Sequence, residues 1–253
     1  MKKKTVFLHI PKTAGSTFNH IIQKQFKERS FRLSPDPQNY TEETTKCYLE
    51  NSLDSFNKLN KDSLKKIEMF YGHILFGLHK KIDCQIKYIT FVRNPFNRVI
   101  SNFDWIRRLP SNRVKYRDIS LKDYLTQDMD LAVSNLQTRM ISGANLNSTV
   151  EAKHLDLAID NLEKYFSEIF ITERFDDSLT VLNKSYGWQS IYNEKKNVTE
   201  NPTDQIDSDI IKIINEKNGL DIKLYEYCTK NFDERFKKLS QSNLKKILQF
   251  FKR

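Results

Sequence analysis

Between Thr5 and Ile10 the chain reads TVFLHI, and Pro11 then cuts the run short. A brief apolar, β-branched run ended by a breaker is the pattern of a buried strand. Gly15 falls in the turn that follows, and from Ser16 onward Phe18, Ile21, Ile22 and Phe26 recur at helical spacing. Strand, tight turn and helix in that order open a nucleotide-binding α/β unit, which restricts the fold to sheets with helices packed on their faces.

The turn itself carries chemistry. A strand feeding a tight turn into a helix start aims several unpaired backbone N–H groups into one concavity, and the helix dipole adds partial positive charge there. Within FLHIPKTAGSTFN (Phe7 to Asn19), Lys12 adds a mobile full charge and Gly15 permits close approach of the backbone. Thr13 and Ala14 complete the turn, and Ser16 and Thr17 supply hydroxyl donors at the helix start. The residues predict a phosphate cradle. They do not form a Walker A motif, because Lys12 precedes Gly15 instead of standing between the last Gly and a Ser or Thr.

A second cluster, YITFVRNPFNRVISNFDW (Tyr88 to Trp105), repeats the strand-to-helix pattern. Lys87 to Val92 reads as a core strand ending at Arg93, and Pro95 opens a helix to Leu109 with Phe96, Val99, Ile100 and Phe103 on one face. An Arg at a strand end can fork onto phosphate oxygens, and a nearby hydroxyl can complete such a shell. Arg98 lies near Ser101 on the same helix and either adds charge or braces the element. Elsewhere, Met69 to Tyr71 predicts a short strand, Ser120 a helix cap, and Leu131 to Ile141 and Glu151 to Phe166 two helices. Ile169 to Thr172 predicts another strand, then a helix from about Asp176 that stops at Gly187, and beyond Pro202 the pattern is wholly helical. Residues 30–66 are expected to be a loop and helices laid over the sheet.

The two clusters together resemble the sulfotransferase superfamily, in which a PKT/AGST-type turn grips the 5'-phosphate of PAPS (3'-phosphoadenosine 5'-phosphosulfate) and an Arg and a Ser hold its 3'-phosphate. YGHILFG (71–77), NLQTRMISG (135–143), the run from 158 to 179 and LYEYC (224–228) resemble the branch that includes carbohydrate sulfotransferases. The resemblance covers most of the chain. It implies PAPS as sulfate donor, PAP as product, no metal, and a hydroxyl-bearing acceptor, with a leaning toward carbohydrate. It implies residues 12–17, Arg93 and Ser101 at the nucleotide, with Lys196 and Asn197 in a loop folding over it. His73, in a GH-type motif, is the implied base and His79 the second choice; His79, Arg139 and Arg174 are expected substrate contacts, with a structural salt bridge as the equal alternative for the two arginines. His9, inside the predicted strand, is expected to be structural. The fold expected is a single P-loop-type, three-layer α/β domain over residues 1–253. Its central sheet is mainly parallel, with helical insertions near 30–66 and 110–166 and a helical C-terminal third.

A formal charge of +10 favours a polyanionic partner and does not choose among them. Two other functions stay open: a kinase on the same scaffold, and a non-catalytic basic module for glycan or nucleic acid. Against the first stand the missing GK[ST] and Arg93 where a metal-holding Asp would be expected. Against the second, no recognition helix, zinc finger or RNP pattern is found, so nucleic acid is not expected as a partner. Cys47, Cys84 and Cys228 are odd in number and lack CxxC spacing, and no HxxxH or EF-hand pattern occurs. No apolar run reaches the roughly 18 residues of a membrane span, so a cytoplasmic enzyme is expected. The basic, amphipathic final segment is expected to pack on the body, with peripheral membrane contact as the alternative.

Overall fold

The structure is a computed structural model that describes residues 3–36, 44–109, 116–188 and 207–250, with side chains in the last helix described to residue 241. Five strands, β1 (Lys4–Leu8), β2 (Ser30–Arg32), β3 (Met69–Gly72), β4 (Ile86–Val92) and β5 (Phe166–Ile171), form one sheet in the order β2-β3-β1-β4-β5. Every neighbouring pair is parallel. The fold is therefore α/β, as expected. Parallel pairing needs crossovers, and the described helices supply them: α1 (Gly15–Phe26), α2 (Thr45–Glu50), α3 (Asp54–Asn57), α4 (Lys61–Lys66), α5 (Pro95–Arg108), α6 (Leu121–Thr126), α7 (Leu136–Ser142), α8 (Ala152–Tyr165), α9 (Phe175–Tyr186), α10 (Ser208–Lys217) and α11 (Gly219–Phe250).

Strand composition explains which strand is central. Val6, Phe7 and Leu8 of β1 are fully buried, as a strand covered on both faces must be. Phe18 of α1 packs edge-on to Phe7 and Phe91, with ring centroids 4.7 and 5.0 Å apart, which seats α1 across β1 and β4. A second, smaller cluster joins Val99, Phe103 and Ile106 of α5 to Tyr124 of α6 and Ile214 of α10. Leu224, Cys228 and Phe232 of α11 are buried in the main core, so this part of the final segment packs on the body. No helix among the described residues is long and apolar enough to cross a membrane.

The register brings the functional edge into view. Leu8 pairs with Gly72 on one side and Thr90 on the other, and Arg32 pairs with Tyr71. The strands run the same way, so His9, Leu33, His73, Arg93 and Thr172 all emerge at their carboxyl ends. The chain leaves β1 toward β2 and β3, then crosses back to β4 on the far side. The order thus reverses beside β1, where open parallel sheets form their ligand crevice.

Three local readings differ from the sequence expectation. Residues 30–66 contribute the edge strand β2 as well as loop and helices; at three residues it is too short to show alternation. The predicted helix from Leu131 to Ile141 is broken, with a 3-10 turn at Leu131–Val133 and α7 restarting at Leu136 after Asn135 adopts φ 44°. His9 and Ile10 lie beyond the end of β1.

Candidate active site

The turn between β1 and α1 is built around two left-handed residues, Lys12 at φ 68° and Ala14 at φ 61°. Thr13, fully buried, donates its hydroxyl to the Ile10 carbonyl at 2.8 Å and braces the turn from within. Ala14 gives α1 no side-chain cap, and the first turn holds no acidic residue. The amides of Gly15, Ser16 and Thr17 therefore keep the positive end of a twelve-residue helix open to an anion. Gly15 is required sterically: a Cβ there would stand 1.7 Å from His9 Nε2. The His9 ring occupies the place of that side chain.

Arg93 follows the last residue of β4 and reaches over this turn. Its Nη1 donates to the Lys12 carbonyl at 3.0 Å, so the two predicted phosphate elements meet. Burial lowers the Arg93 pKa, an effect opposed by the nearby Glu173 carboxylate. Lys12 Nζ stands 5.6 Å from the Trp105 ring centroid. Burial first, then Arg93 and Arg108, pull the Lys12 pKa down to about 8. Trp105 lies four residues after Ser101 on α5 and Arg108 seven, so the helix face carrying buried Ser101 turns toward the anion turn. The turn, Arg93 and that face converge on one place.

His73 follows β3 and adjoins the same turn. Its Nδ1 lies 2.7 Å from the His9 carbonyl, and the two imidazole rings stand 3.9 Å apart at centroid. A carbonyl can only accept, so Nδ1 carries the proton and Nε2 presents its lone pair. Burial pulls the His73 pKa down to about 4; the bond to His9 opposes this, and Arg32 and Lys12 add to it. The ring is thus a neutral base throughout the physiological range. His9 is also held neutral, by burial first and then by His73, Arg32 and Lys12, and its ring stacks on Phe7 at 5.3 Å. Its ring packs between Phe7 and His73, beyond the strand in which sequence placed it.

Two residues that sequence reasoning passed over complete this flank. Tyr48 of α2 meets the His73 ring edge-on at 5.2 Å, and its pKa is raised by burial and lowered by Arg32, which hydrogen-bonds it. Arg32, the exposed last residue of β2, sets a positive charge near both histidines. The only sequence signal was a lone Arg within the three-residue strand.

Three of the remaining predicted residues have partners of their own within the fold. His79 bonds through Nδ1 and its backbone N–H to the Tyr88 hydroxyl, at 3.0 and 2.8 Å, and stacks on Tyr165. Tyr88 lies four residues before the end of β4, which sets His79 back from the edge where His73 stands. Arg139 donates to the carbonyls of Asn145 and Ser148 and ties down the loop after α7, which matches the structural alternative to an acceptor contact. Arg174 pairs with Asp177 and Asp233 and lies over Phe232 and Phe236, docking α11. These partners consume its charge. Arg98 is fully buried and donates to the Ala132 carbonyl at 2.7 Å, as a brace would. Lys196 and Asn197 lie outside the described residues. Among the described residues no group of three or more His, Cys, Asp or Glu is arranged to hold a metal ion.

Residues 1–228 match a family model described as "Sulfotransferase family". A curated relative, heparan-sulfate 6-O-sulfotransferase 1-B of Danio rerio, is 23% identical over 275 residues, covering 91% of this chain and 66% of the relative. The chain thus spans about two thirds of that relative's length. Among solved structures, a sulfotransferase from Alicyclobacillus acidocaldarius aligns with a TM-score of 0.49 at 10% identity, over 90% of this chain and 95% of the other. Mouse sulfotransferase SULT7A1 complexed with PAP aligns with a TM-score of 0.40 at 15% identity, over 86% of this chain and 65% of the other.

Proposed function

The chain belongs to the sulfotransferase family, and from that premise we propose that it moves a sulfuryl group from PAPS to an acceptor hydroxyl on a carbohydrate. The observation that carries the reading is the meeting of the two phosphate elements, with Arg93 donating to the Lys12 carbonyl beside an uncapped helix start. The residues present fit a nucleotide phosphorylated at both ends of its ribose. The Lys12 to Thr17 turn offers amides, hydroxyls and an ammonium to the 5' end, and Arg93 with Ser101 offers a fork and a hydroxyl to the 3'-phosphate. The carbohydrate assignment is supported by the curated relative, whose name specifies heparan sulfate.

When bound, the donor supplies sulfur that bonds to the acceptor oxygen as its bond to the 5'-phosphate oxygen breaks. The protein's work is then positioning and charge stabilisation. Lys12, cationic below about pH 8, neutralises the charge that gathers on the leaving phosphate, together with the amides at the start of α1. His73 accepts the acceptor's proton at Nε2, because Nδ1 is committed to the His9 carbonyl. Negative charge brought beside Lys12 raises the His73 pKa from its low value in the free protein, making the imidazole a stronger base when it is needed. Arg32 and Tyr48 form the flank on which the acceptor rests, and the Arg32 charge favours an acidic sugar.

Incubation with labelled PAPS and a panel of neutral and acidic oligosaccharides tests the reading. Label transfer to the acidic sugars supports it. A protein that is instead stabilised by ATP with Mg²⁺ and not by PAP contradicts it.

A further inference from the structure

The Arg93 guanidinium is only as well placed as its backbone, and that backbone lies at an awkward corner. β4 ends at Val92, and α5 starts at Pro95, which has no N–H to offer. A single side chain closes both polar groups of Arg93. Gln137 Oε1 accepts the Arg93 N–H at 2.9 Å, and Gln137 Nε2 donates to the Arg93 carbonyl at 2.9 Å. The amide thus takes the place of a neighbouring strand at the point where pairing stops.

Gln137 is fully buried, and so is its anchor. The Asp221 carboxylate of α11 accepts the backbone N–H of Gln137 at 3.1 Å and of Thr138 at 2.7 Å, capping α7 from outside. The left-handed Asn135 is fixed from the same side, its N–H donating to Asn218 and its carbonyl-type Oδ1 accepting from Leu220 and Asp221. The next peptide of the corner is held likewise. Asn94 N–H donates to Glu173 Oε1 at 2.9 Å, and the Tyr225 hydroxyl donates to Glu173 Oε2 at 3.1 Å. Asp221 and Tyr225 are one turn apart on α11.

We infer that Gln137 is a positioning residue for phosphate selection: it fixes the Arg93 main chain, from a mount on α11, so that the guanidinium spans the Lys12 turn and the 3'-phosphate. A glutamine that merely filled core space would have no reason to engage both polar groups of this one residue. The inference rests on the nucleotide reading above, and deepens it by naming what makes the 3'-phosphate contact rigid.

The test compares binding of PAP and of AMP, which lacks the 3'-phosphate, by titration calorimetry. The wild type is compared with Gln137→Met, which keeps the volume and loses both bonds, and Gln137→Glu, which keeps the acceptor and loses the donor. Each protein is assayed well below its own melting temperature. For the wild type, PAP is expected to bind about tenfold or more tightly than AMP, the scale of one charge-assisted phosphate contact. Gln137→Met should weaken PAP about tenfold and AMP about twofold or less, and Gln137→Glu should lose at least about threefold of the preference. Combined with Arg93→Ala, Gln137→Met should add nothing further to the PAP loss. A folded Gln137 variant of either kind that keeps the full preference overturns the inference, as does additivity in the double variant. If Gln137→Met does not fold, Gln137→Glu decides alone. A wild type without any preference for PAP removes the nucleotide reading itself, and this inference with it.

Discussion

Arg93 donates from its guanidinium to the main-chain carbonyl of Lys12 at 3.0 Å, although 80 positions of chain lie between them. One residue directly follows β4 and the other lies in the turn after β1, and the parallel register of those neighbouring strands makes the contact possible. A charged side chain spent on a carbonyl braces the left-handed turn. Lys12 therefore presents its ammonium from a fixed backbone.

Replacing Lys12 should strike turnover more than binding. Lys12→Ala is expected to lower kcat by about 100- to 1000-fold, the range seen when one preorganised donor to a developing oxyanion is removed. PAP, which lacks the sulfuryl group, should bind at most about tenfold more weakly, because the amides and Arg93 remain. Steady-state kinetics with calorimetry on the same preparation separates the two effects.

His73→Ala should cost about two to four orders of magnitude in turnover with PAP affinity little changed. His73→Asn should be equally slow, since it can restore the bond to the His9 carbonyl but supplies no base. Near-normal turnover in either variant would remove His73 from the role.

The pH profile carries a sign that can be checked. His73 has a pKa of about 4 in the free protein, so it is unprotonated and competent above that value, and kcat/KM should fall only as pH drops toward 4. Lys12 has a pKa of about 8, and the proposed role requires the cation, so kcat/KM should also fall as pH rises past 8. The profile is a plateau between those limits. The acid limb of kcat should lie higher than that of kcat/KM, because bound negative charge raises the His73 pKa.

Gly15→Ala tests the packing beneath the turn. The new Cβ would meet His9 Nε2 at 1.7 Å, so His9 must move, and His73 is bonded to the His9 carbonyl. A loss of about 1–3 kcal/mol in stability is expected, with a drop in PAP affinity. His9→Ala in the same chain removes the clashing ring and should recover much of both losses. Thermal melts with and without PAP read the two quantities.

Much of this was legible in sequence because it is local. The turn from Phe7 to Thr17 and the corner from Val92 to Ser101 each hold strand, punctuation and helix within a short stretch, so residue type and spacing suffice. His73 could be suspected from its Gly-His position, whereas its tautomer depends on a carbonyl 64 residues away. Gln137 lies within the NLQTR run that carries the resemblance, but nothing local in it shows the pairing with Arg93. For Arg139 and Arg174 the sequence leaves a structural tie and an acceptor contact both open, and the fold gives each a tie, to carbonyls for Arg139 and to carboxylates for Arg174. Long-range polar pairing leaves no periodicity, so it becomes visible only once the sheet brings the partners together.

The account stands or falls on a ligand held at two phosphates. The most direct measurement is the affinity of the unaltered protein and of Arg93→Ala for PAP and for AMP at one ionic strength. PAP should bind about tenfold or more tightly than AMP to the unaltered chain, and Arg93→Ala should bring the two to near equality. Equal affinity for both nucleotides in the unaltered chain, or a PAP preference that survives Arg93→Ala, would contradict it.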